Sequence, residues 1–229
     1  MMTREGMPEG LEEASMIYRD RAEAGERLAD ALQPWQGQHP LVVAIPRGAV
    51  PMGKIVAERL GGELDVVLTR KLPAPGNPEF AVGAIDETGW QYLADYAREA
   101  GASPQYIERV AASELDTIRR RRALYTPHRP PIDAAGRVVI VVDDGLATGA
   151  TMIAALHAVR ARNPQRLVCA VPVASTEAVE KVRGYADEVV CLQTPDFFYA
   201  VGQFYRSFPQ VDDETVIALL RPTDEKGEA

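Results

Sequence analysis

Two adjacent carboxylates and the loop that follows them are the residues best suited to chemistry. In the segment VVIVVDDGLATGAT, residues 138–151, five apolar β-branched residues precede Asp143 and Asp144. This order predicts a buried strand, a loop rich in glycine and threonine, and then a helix. The backbone N–H groups of such a loop and the helix N-terminus can bind a phosphate. Because the nearby carboxylates can accept hydrogen bonds from sugar hydroxyls and help to hold a divalent metal ion, we predict a phosphorylated-sugar site.

Two further loops carry basic residues directly after predicted strands. Arg47 and Gly48 follow one strand, and Arg70 and Lys71 follow the next. Arginine offers a forked donor to phosphate oxygens, and glycine lets the backbone come close to a ligand. Because ligands of open α/β sheets bind at the carboxyl ends of the strands, we expect all three loops at one edge. The alternatives are ordinary strand-to-helix turns, one of them capped by aspartate, and a basic pair on the surface.

The alternation of buried strands with helices predicts an α/β fold with a parallel twisted sheet and helices on both faces. The predicted strands are 41–45, 64–68, 138–142, 167–173 and 188–192. The predicted helices are 15–32, 50–60, 104–125, 150–162, 177–185 and 212–220. Residues 71–79, KLPAPGNPE, hold three prolines and one glycine, so we expect no regular structure there. A small β-ribbon is predicted over 80–85 and 91–94.

Composition narrows the class of protein. The chain has 229 residues, of which 46% are hydrophobic and 25% are charged, as in a soluble globular domain. We expect one domain over 13–221, a mobile N-terminus over 1–12 and a disordered tail over 222–229. No apolar run is long enough for a membrane span, and the polar N-terminus does not resemble a signal peptide. The net charge of −8 disfavours nucleic acid as a partner.

Cysteine and histidine residues give no metal pattern. Cys169 and Cys191 lie in apolar runs, so we expect reduced thiols and a cytoplasmic location. The three histidines form no pair with ligand spacing, and each is expected in a loop or on the surface. Four consecutive arginines, Arg119 to Arg122, lie on a predicted helix and are expected mostly to face solvent. An anion contact is the less favoured interpretation of that cluster.

The segment 138–151 resembles the binding loop for phosphoribosyl pyrophosphate (PRPP) in type I phosphoribosyltransferases. Those enzymes share a hydrophobic strand, two acidic residues and a Thr-Gly-x-Thr/Ser loop. The resemblance covers most of the chain and is closest to a bacterial group with an unassigned acceptor, similar in RKLPAPGNPE, DDGLATGATM and AVG-x-FY. It implies a Rossmann-like fold with a flexible lid over about 71–94 and a small hood contributed mainly by 193–210.

The resemblance also implies roles for individual residues. Asp143 and Asp144 would hold the ribose and, through water, Mg²⁺; with Lys71 they form the expected catalytic group. The 5′-phosphate would be bound by Ala147, Thr148, Gly149, Ala150 and Thr151. The pyrophosphate would be bound by Arg47, Gly48, Arg70 and Lys71. Glu79, in the lid, either touches substrate or is solvated.

The acceptor is less defined than the donor. By resemblance to the hood of hypoxanthine-guanine enzymes, Phe198 would stack on a flat base with Tyr199 beside it; the alternative is that these rings pack the hood onto the core. Those enzymes carry a carboxylate where this chain has Ala147, and a lysine where it has 171–175, VPVAS. Both departures disfavour hypoxanthine and guanine as acceptors.

The sequence therefore predicts transfer of a 5-phosphoribosyl group from PRPP to a nitrogen acceptor, such as a nucleobase or related heterocycle. Two alternatives remain open. One is a regulator of the same fold that binds PRPP without turnover, and the other is an unrelated α/β protein that binds a nucleotide or sugar phosphate. The helix 104–125 is long enough to supply an interface, so a homodimer is compatible with the sequence.

Overall fold

The protein is described by a computed structural model that covers residues 17–127 and 130–221. The expected mobile N-terminus (1–12) and disordered tail (222–229) lie outside the described residues, as does His128. Within the described ranges, no helix is long and apolar enough to cross a membrane.

Eight strands and six α-helices make up the described chain, with the second to fifth strands consecutive and the remaining elements alternating. The strands are β1 (Leu41–Ala44), β2 (Glu63–Val66), β3 (Thr69–Ala74), β4 (Asn77–Asp86), β5 (Gln91–Leu93), β6 (Val138–Val142), β7 (Arg166–Val173) and β8 (Glu188–Gln193). The helices are α1 (Arg21–Ala31), α2 (Val50–Leu60), α3 (Pro104–Tyr125), α4 (Ala150–Arg160), α5 (Thr176–Val182) and α6 (Asp213–Leu220). Short 3₁₀ turns cover Gln33–Trp35, Asp95–Ala97 and Val201–Phe204.

Five strands form the predicted parallel sheet, in the order β2-β1-β6-β7-β8. In the central strand β6, Val139 and Val141 pack with residues of α4 and α5, whereas Ile140 packs with residues of α1 and α2. This alternation follows from the two-residue period of a strand, and it confirms that helices cover both faces. Val66, Ala44 and Val142 are in register at the ends of β2, β1 and β6. The loops that follow these strands therefore start at one edge.

The first helix starts later than its pattern predicts. Asp20 has extended backbone dihedral angles, and its side chain accepts a hydrogen bond from the Glu23 N–H at 2.9 Å, which caps α1. Tyr18 is not helical, because it forms a parallel bridge with Tyr205 of the hood. The N-terminal segment is therefore fixed to the hood before the helix begins, and Arg21 becomes the first residue of α1.

The expectation that residues 71–79 lack regular structure was wrong. They form parts of β3 and β4, which are joined by a tight turn at Pro75 and Gly76 and pair as an antiparallel hairpin. Pro73 is tolerated because β3 is an edge strand and the pairing register shifts on both sides of this residue. The predicted ribbon is confirmed by the antiparallel pairing of β4 with β5.

The resulting three-stranded sheet packs against the rest of the molecule. Leu72, Val82 and Ile85 lie in one hydrophobic cluster with Ile107 and Ile118 of α3. A smaller cluster joins the sheet to the first turns of α4. The segment 71–94, expected as a lid, is thus a folded unit in this structure, and its closing movement stays a prediction.

Two basic side chains form more contacts than the sequence predicts. Arg119 and Arg120 are exposed, but Arg122 donates hydrogen bonds to both carboxylate oxygens of Glu87 and to the main-chain oxygen of Val66. His157 is not in a loop. It lies in α4, where Nδ1 is 3.0 Å from Oδ2 of buried Asp86. Both side chains attach the small sheet to its neighbouring helices.

Candidate active site

The carboxylate pair lies where β6 ends, as its position in the sequence predicts. The Asp144 N–H donates to the Asp143 carboxylate at 2.9 Å, which fixes the turn at the strand end. Beyond it, Leu146 forms a parallel bridge with Ala174, the residue after β7. The loop therefore crosses the carboxyl edge of the sheet between β6 and β7 before it enters α4.

The five residues expected to hold a 5′-phosphate form one continuous cradle. Gly149 has a φ of 80°, the left-handed region that glycine adopts without strain, and it turns the chain into α4. Ser175 stabilises the loop, because its hydroxyl donates to the main-chain oxygen of Ala147 at 2.8 Å. Ala147 and Thr148 are exposed, and the N-terminus of the eleven-residue helix α4 follows. This arrangement offers backbone N–H groups to an anion.

Asp144 is held by a residue that the sequence did not point to. Arg21 donates a hydrogen bond from Nε to one carboxylate oxygen of Asp144, and its Nη2 forms an ion pair with the same oxygen, each at 2.9 Å. The hydroxyl of Tyr205 donates to the main-chain oxygen of Asp144 at 2.7 Å. Arg21 begins a helix 123 positions away in the chain, and neither spacing nor composition marks it as different from the other arginines. Only the tertiary fold brings it to the site.

The loop after β1 lies directly against this pair. A Cβ atom added to Gly48 would be 2.2 Å from Oδ2 of Asp144 and 3.0 Å from Nη2 of Arg21. The peptide bond between Pro46 and Arg47 is cis. A side chain at position 48 would therefore displace the Asp144 carboxylate or the loop, and the two loops expected to bind pyrophosphate and ribose are in contact.

Arg70 and Lys71, the basic residues at the start of β3, point to opposite faces of the strand. Arg70 donates from Nε to Glu114 of α3 at 2.6 Å. Lys71 is exposed and close enough to Asp143 to lower its pKa. Successive residues of a strand point to opposite faces, which is why only one of the two turns toward the carboxylates. Lys71 therefore lies near the carboxylates, whereas Arg70 is engaged with α3, and the contact of both residues with pyrophosphate stays a prediction.

The electrostatics of the pair favour binding of a cationic or hydrogen-donating partner. Burial raises the pKa of Asp143 well above its usual range, and the adjacent charge of Asp144 raises it further. Burial also raises the pKa of Asp144, against the lowering effect of the Arg21 guanidinium. Over residues 17–127 and 130–221, no group of three or more His, Cys, Asp or Glu side chains forms a metal site. The donor set is thus two carboxylates, which suits Mg²⁺ bound mainly by ligand oxygens and water.

The hood exposes one of the two expected aromatic rings, together with one that was not expected. Phe198 is partly buried and packs on Phe204 with ring centroids 5.1 Å apart, as the packing alternative proposes. Tyr199 is 87% exposed and Phe197, which the sequence did not single out, is 76% exposed. The side-chain amide of Gln203 braces the loop, because it accepts from the Tyr199 N–H at 2.9 Å and donates to the Phe197 oxygen at 3.0 Å. The rings of Phe197 and Tyr199 are therefore exposed on a loop that hydrogen bonds from Gln203 stabilise.

Glu79 lies in β4 with its side chain exposed. The solvated interpretation fits this position, and contact with a substrate stays a prediction.

Comparison with known proteins gives the family. A model of the phosphoribosyl transferase domain matches residues 14–209. Two curated proteins of Mycobacterium tuberculosis, from strains CDC 1551 and H37Rv, are each 42% identical over 205 residues and bear a provisional phosphoribosyl transferase name. Their alignments cover 89% of this chain and 46% of each relative, so the chain spans about half the length of these relatives.

A solved structure is also similar over nearly its whole length. The crystal structure of TT1426 from Thermus thermophilus is 51% identical, with a TM-score of 0.75, and the match covers 90% of this chain and 98% of that one. The chain therefore belongs to the phosphoribosyl transferase domain family, and its parallel sheet with flanking helices is the type I fold that the resemblance implies.

Proposed function

We propose that this domain transfers the 5-phosphoribosyl group of PRPP to a nitrogen acceptor and releases pyrophosphate. The observation that carries the proposal is the contact between Gly48 and Asp144, because it places the loop after β1 against the carboxylates that precede the phosphate cradle. A ligand with a 5′-phosphate, a ribose and a pyrophosphate has these three groups in the same order. The family match supports the same activity.

Each part of PRPP has a matching part of the site. The cradle over 147–151 would bind the 5′-phosphate, and Asp143 and Asp144 would accept hydrogen bonds from the ribose hydroxyls. Arg47, the Gly48 backbone and Lys71 would bind the pyrophosphate. Arg70 would bind the pyrophosphate only if its ion pair with Glu114 broke when the ligand binds.

Catalysis on this proposal is positioning and electrostatic stabilisation. Bond breaking at the anomeric carbon develops positive charge on the sugar ring and negative charge on the leaving pyrophosphate. The carboxylates lie on the side of the ring, and Arg47 and Lys71 lie on the side of the leaving group. Donor and acceptor held in line would further lower the barrier.

Mg²⁺ fits the donor set as a proposed cofactor. Asp143 and Asp144 would hold it, in part through water, together with oxygens of the ligand. When bound, it would neutralise charge on the pyrophosphate.

The acceptor would enter beside the hood. Its exposed rings, Phe197 and Tyr199, offer faces for a flat heterocycle, and Phe198 would support the loop rather than touch the acceptor. Ala147 at the tip of the cradle and the absence of lysine in 171–175 argue against a 6-oxopurine.

Free Cys169 and Cys191 are consistent with the proposed cytoplasmic location.

The test is a panel of nucleobases and heterocyclic amines incubated with PRPP and MgCl₂, scored by pyrophosphate release. We expect release that depends on one class of acceptor. Binding of PRPP by calorimetry without release for any acceptor would favour the PRPP-binding regulator. Absence of PRPP binding would overturn the proposal and favour a different sugar phosphate or nucleotide as ligand.

A further inference from the structure

The guanidinium of Arg21 joins three parts of the molecule at one point. Nε donates to Oδ2 of Asp144, Nη2 forms an ion pair with the same oxygen, and Nη1 donates to the main-chain oxygen of Pro209 at 2.6 Å. The guanidinium carbon also lies 3.7 Å from the centroid of the Phe208 ring. The side chain is 11% exposed, so these contacts use nearly all of its surface. Helix α1, the ribose-side carboxylate and the end of the hood are thereby connected.

We propose that Arg21 is a positioning residue that orients the Asp144 carboxylate for the ribose hydroxyls and fixes the hood relative to it. The inference rests on the proposed function and deepens it. Both nitrogens contact Oδ2, so the carboxylate cannot rotate freely. Arg21 contacts Oδ2, so Oδ1 would be the acceptor for a sugar hydroxyl.

Stability alone does not explain the arrangement. A buried ion pair gains little over well-packed apolar side chains of similar size, because both charges lose their hydration. The pair here also lies in the candidate active site, beside Gly48. An oriented carboxylate, in contrast, is required by a site that reads ribose hydroxyls.

Lysine could not replace arginine in this role. A single ammonium group cannot contact Asp144 through two nitrogens of a planar fork while it reaches Pro209 and stacks on Phe208. Lysine does keep the positive charge. The conservative substitution Arg21→Lys therefore separates orientation of the carboxylate from the effect of charge on anion binding.

The experiment measures two fragments of PRPP by calorimetry in the presence of MgCl₂, namely ribose 5-phosphate and pyrophosphate. The variants of the full chain are Arg21→Lys and Arg21→Met. The control is Arg27→Met, a change of the same type on the same helix, at a residue that pairs with Glu23. Melting temperatures establish that each variant is folded, and Arg21→Lys remains informative if Arg21→Met does not fold.

We expect Arg21→Lys to weaken ribose 5-phosphate binding about tenfold, the loss typical of a charge-assisted hydrogen bond. Pyrophosphate binding should weaken no more than about threefold, because Asp144 would act on that ligand only through the shared Mg²⁺ ion. The control should bind both ligands like the wild type. Unchanged ribose 5-phosphate binding in Arg21→Lys, or equal weakening of both ligands, would overturn the inference while leaving the proposed function in place. A wild-type chain that binds neither fragment nor PRPP would instead overturn the proposed function, and the inference with it.

Discussion

Arg47 and Asp213 form a long ion pair at the edge of the candidate active site, with Nη1 of Arg47 3.8 Å from Oδ1 of Asp213. The hydroxyl of Tyr125 donates a hydrogen bond to the same oxygen. Asp213 is the first residue of α6, which lies beyond the part of the chain that the family model matches. The arginine proposed to bind pyrophosphate therefore has a carboxylate of this chain as a competing partner.

We predict that Asp213→Asn tightens pyrophosphate binding by about two- to fivefold. Asp213 and Arg47 are each about one third exposed, and pairs of this kind are worth about 0.2–1 kcal/mol. The amide keeps the shape of the side chain and removes the charge. Calorimetry with pyrophosphate and MgCl₂ at two salt concentrations measures the change, which should shrink at high salt because the charges are screened.

Glu214→Gln is the matched control for that substitution, because it removes one negative charge from the next position of α6, where the side chain is exposed. It should leave the affinity almost unchanged. If Asp213→Asn weakened binding instead, Asp213 would act by orienting Arg47 and not by competing for it.

The double substitution Asp143→Asn, Asp144→Asn should lower pyrophosphate release by several orders of magnitude. Amides cannot supply the negative charge that the sugar cation and the metal ion require. The protein should remain folded, because burial already disfavours the charged form of both carboxyls. Asp116→Asn, an exposed position on α3 paired with Arg119, is the control. Unchanged turnover in the double variant would remove the basis for the proposed catalytic group.

Gly48→Ala should reduce PRPP affinity at least about tenfold. Its Cβ would lie 2.2 Å from the Asp144 carboxylate oxygen, so either the loop after β1 or the carboxylate must shift. Gly184→Ala provides the comparison, because the nearest heavy atom to a Cβ there is 4.0 Å away. Calorimetry with PRPP and MgCl₂ separates the two variants. Equal affinities for PRPP would show that the contact between the two loops is dispensable.

The elements that the sequence predicted well are those with a strong local signal. Helix α3 begins and ends where predicted, because Ser103 caps it and Pro104 occupies its first turn. The buried strand β6 likewise has the predicted bounds. The carboxylates and the loop over 147–151 follow directly from these elements, so the position of this part of the candidate site on the sheet edge could be predicted from the sequence.

The features that were missed depend on contacts between distant parts of the chain. The prolines in 71–79 predict irregular structure locally, but an edge strand with a shifted register accommodates them. Arg21 and Asp213 reach the site only through the packing of α1 and α6, for which a single sequence has no local signal. Phe197 and Phe198 are chemically equal in sequence, and the direction of each ring is set by the loop that Gln203 braces.

Within the four-arginine cluster, we predict that only Arg122 is important for stability. Arg122→Leu should lower the free energy of unfolding by about 2–4 kcal/mol, because it leaves Glu87 without its partner in a mostly buried position. Arg120→Leu should change it by no more than about 0.5 kcal/mol, as expected for an exposed side chain. Urea unfolding measures both values. The variant Arg122→Leu combined with Glu87→Leu should be more stable than Arg122→Leu alone, since the unpaired charge of Glu87 is then removed. If Arg120→Leu and Arg122→Leu lowered the free energy of unfolding equally, the ion pair of Arg122 with Glu87 would not hold α3 to the end of β4.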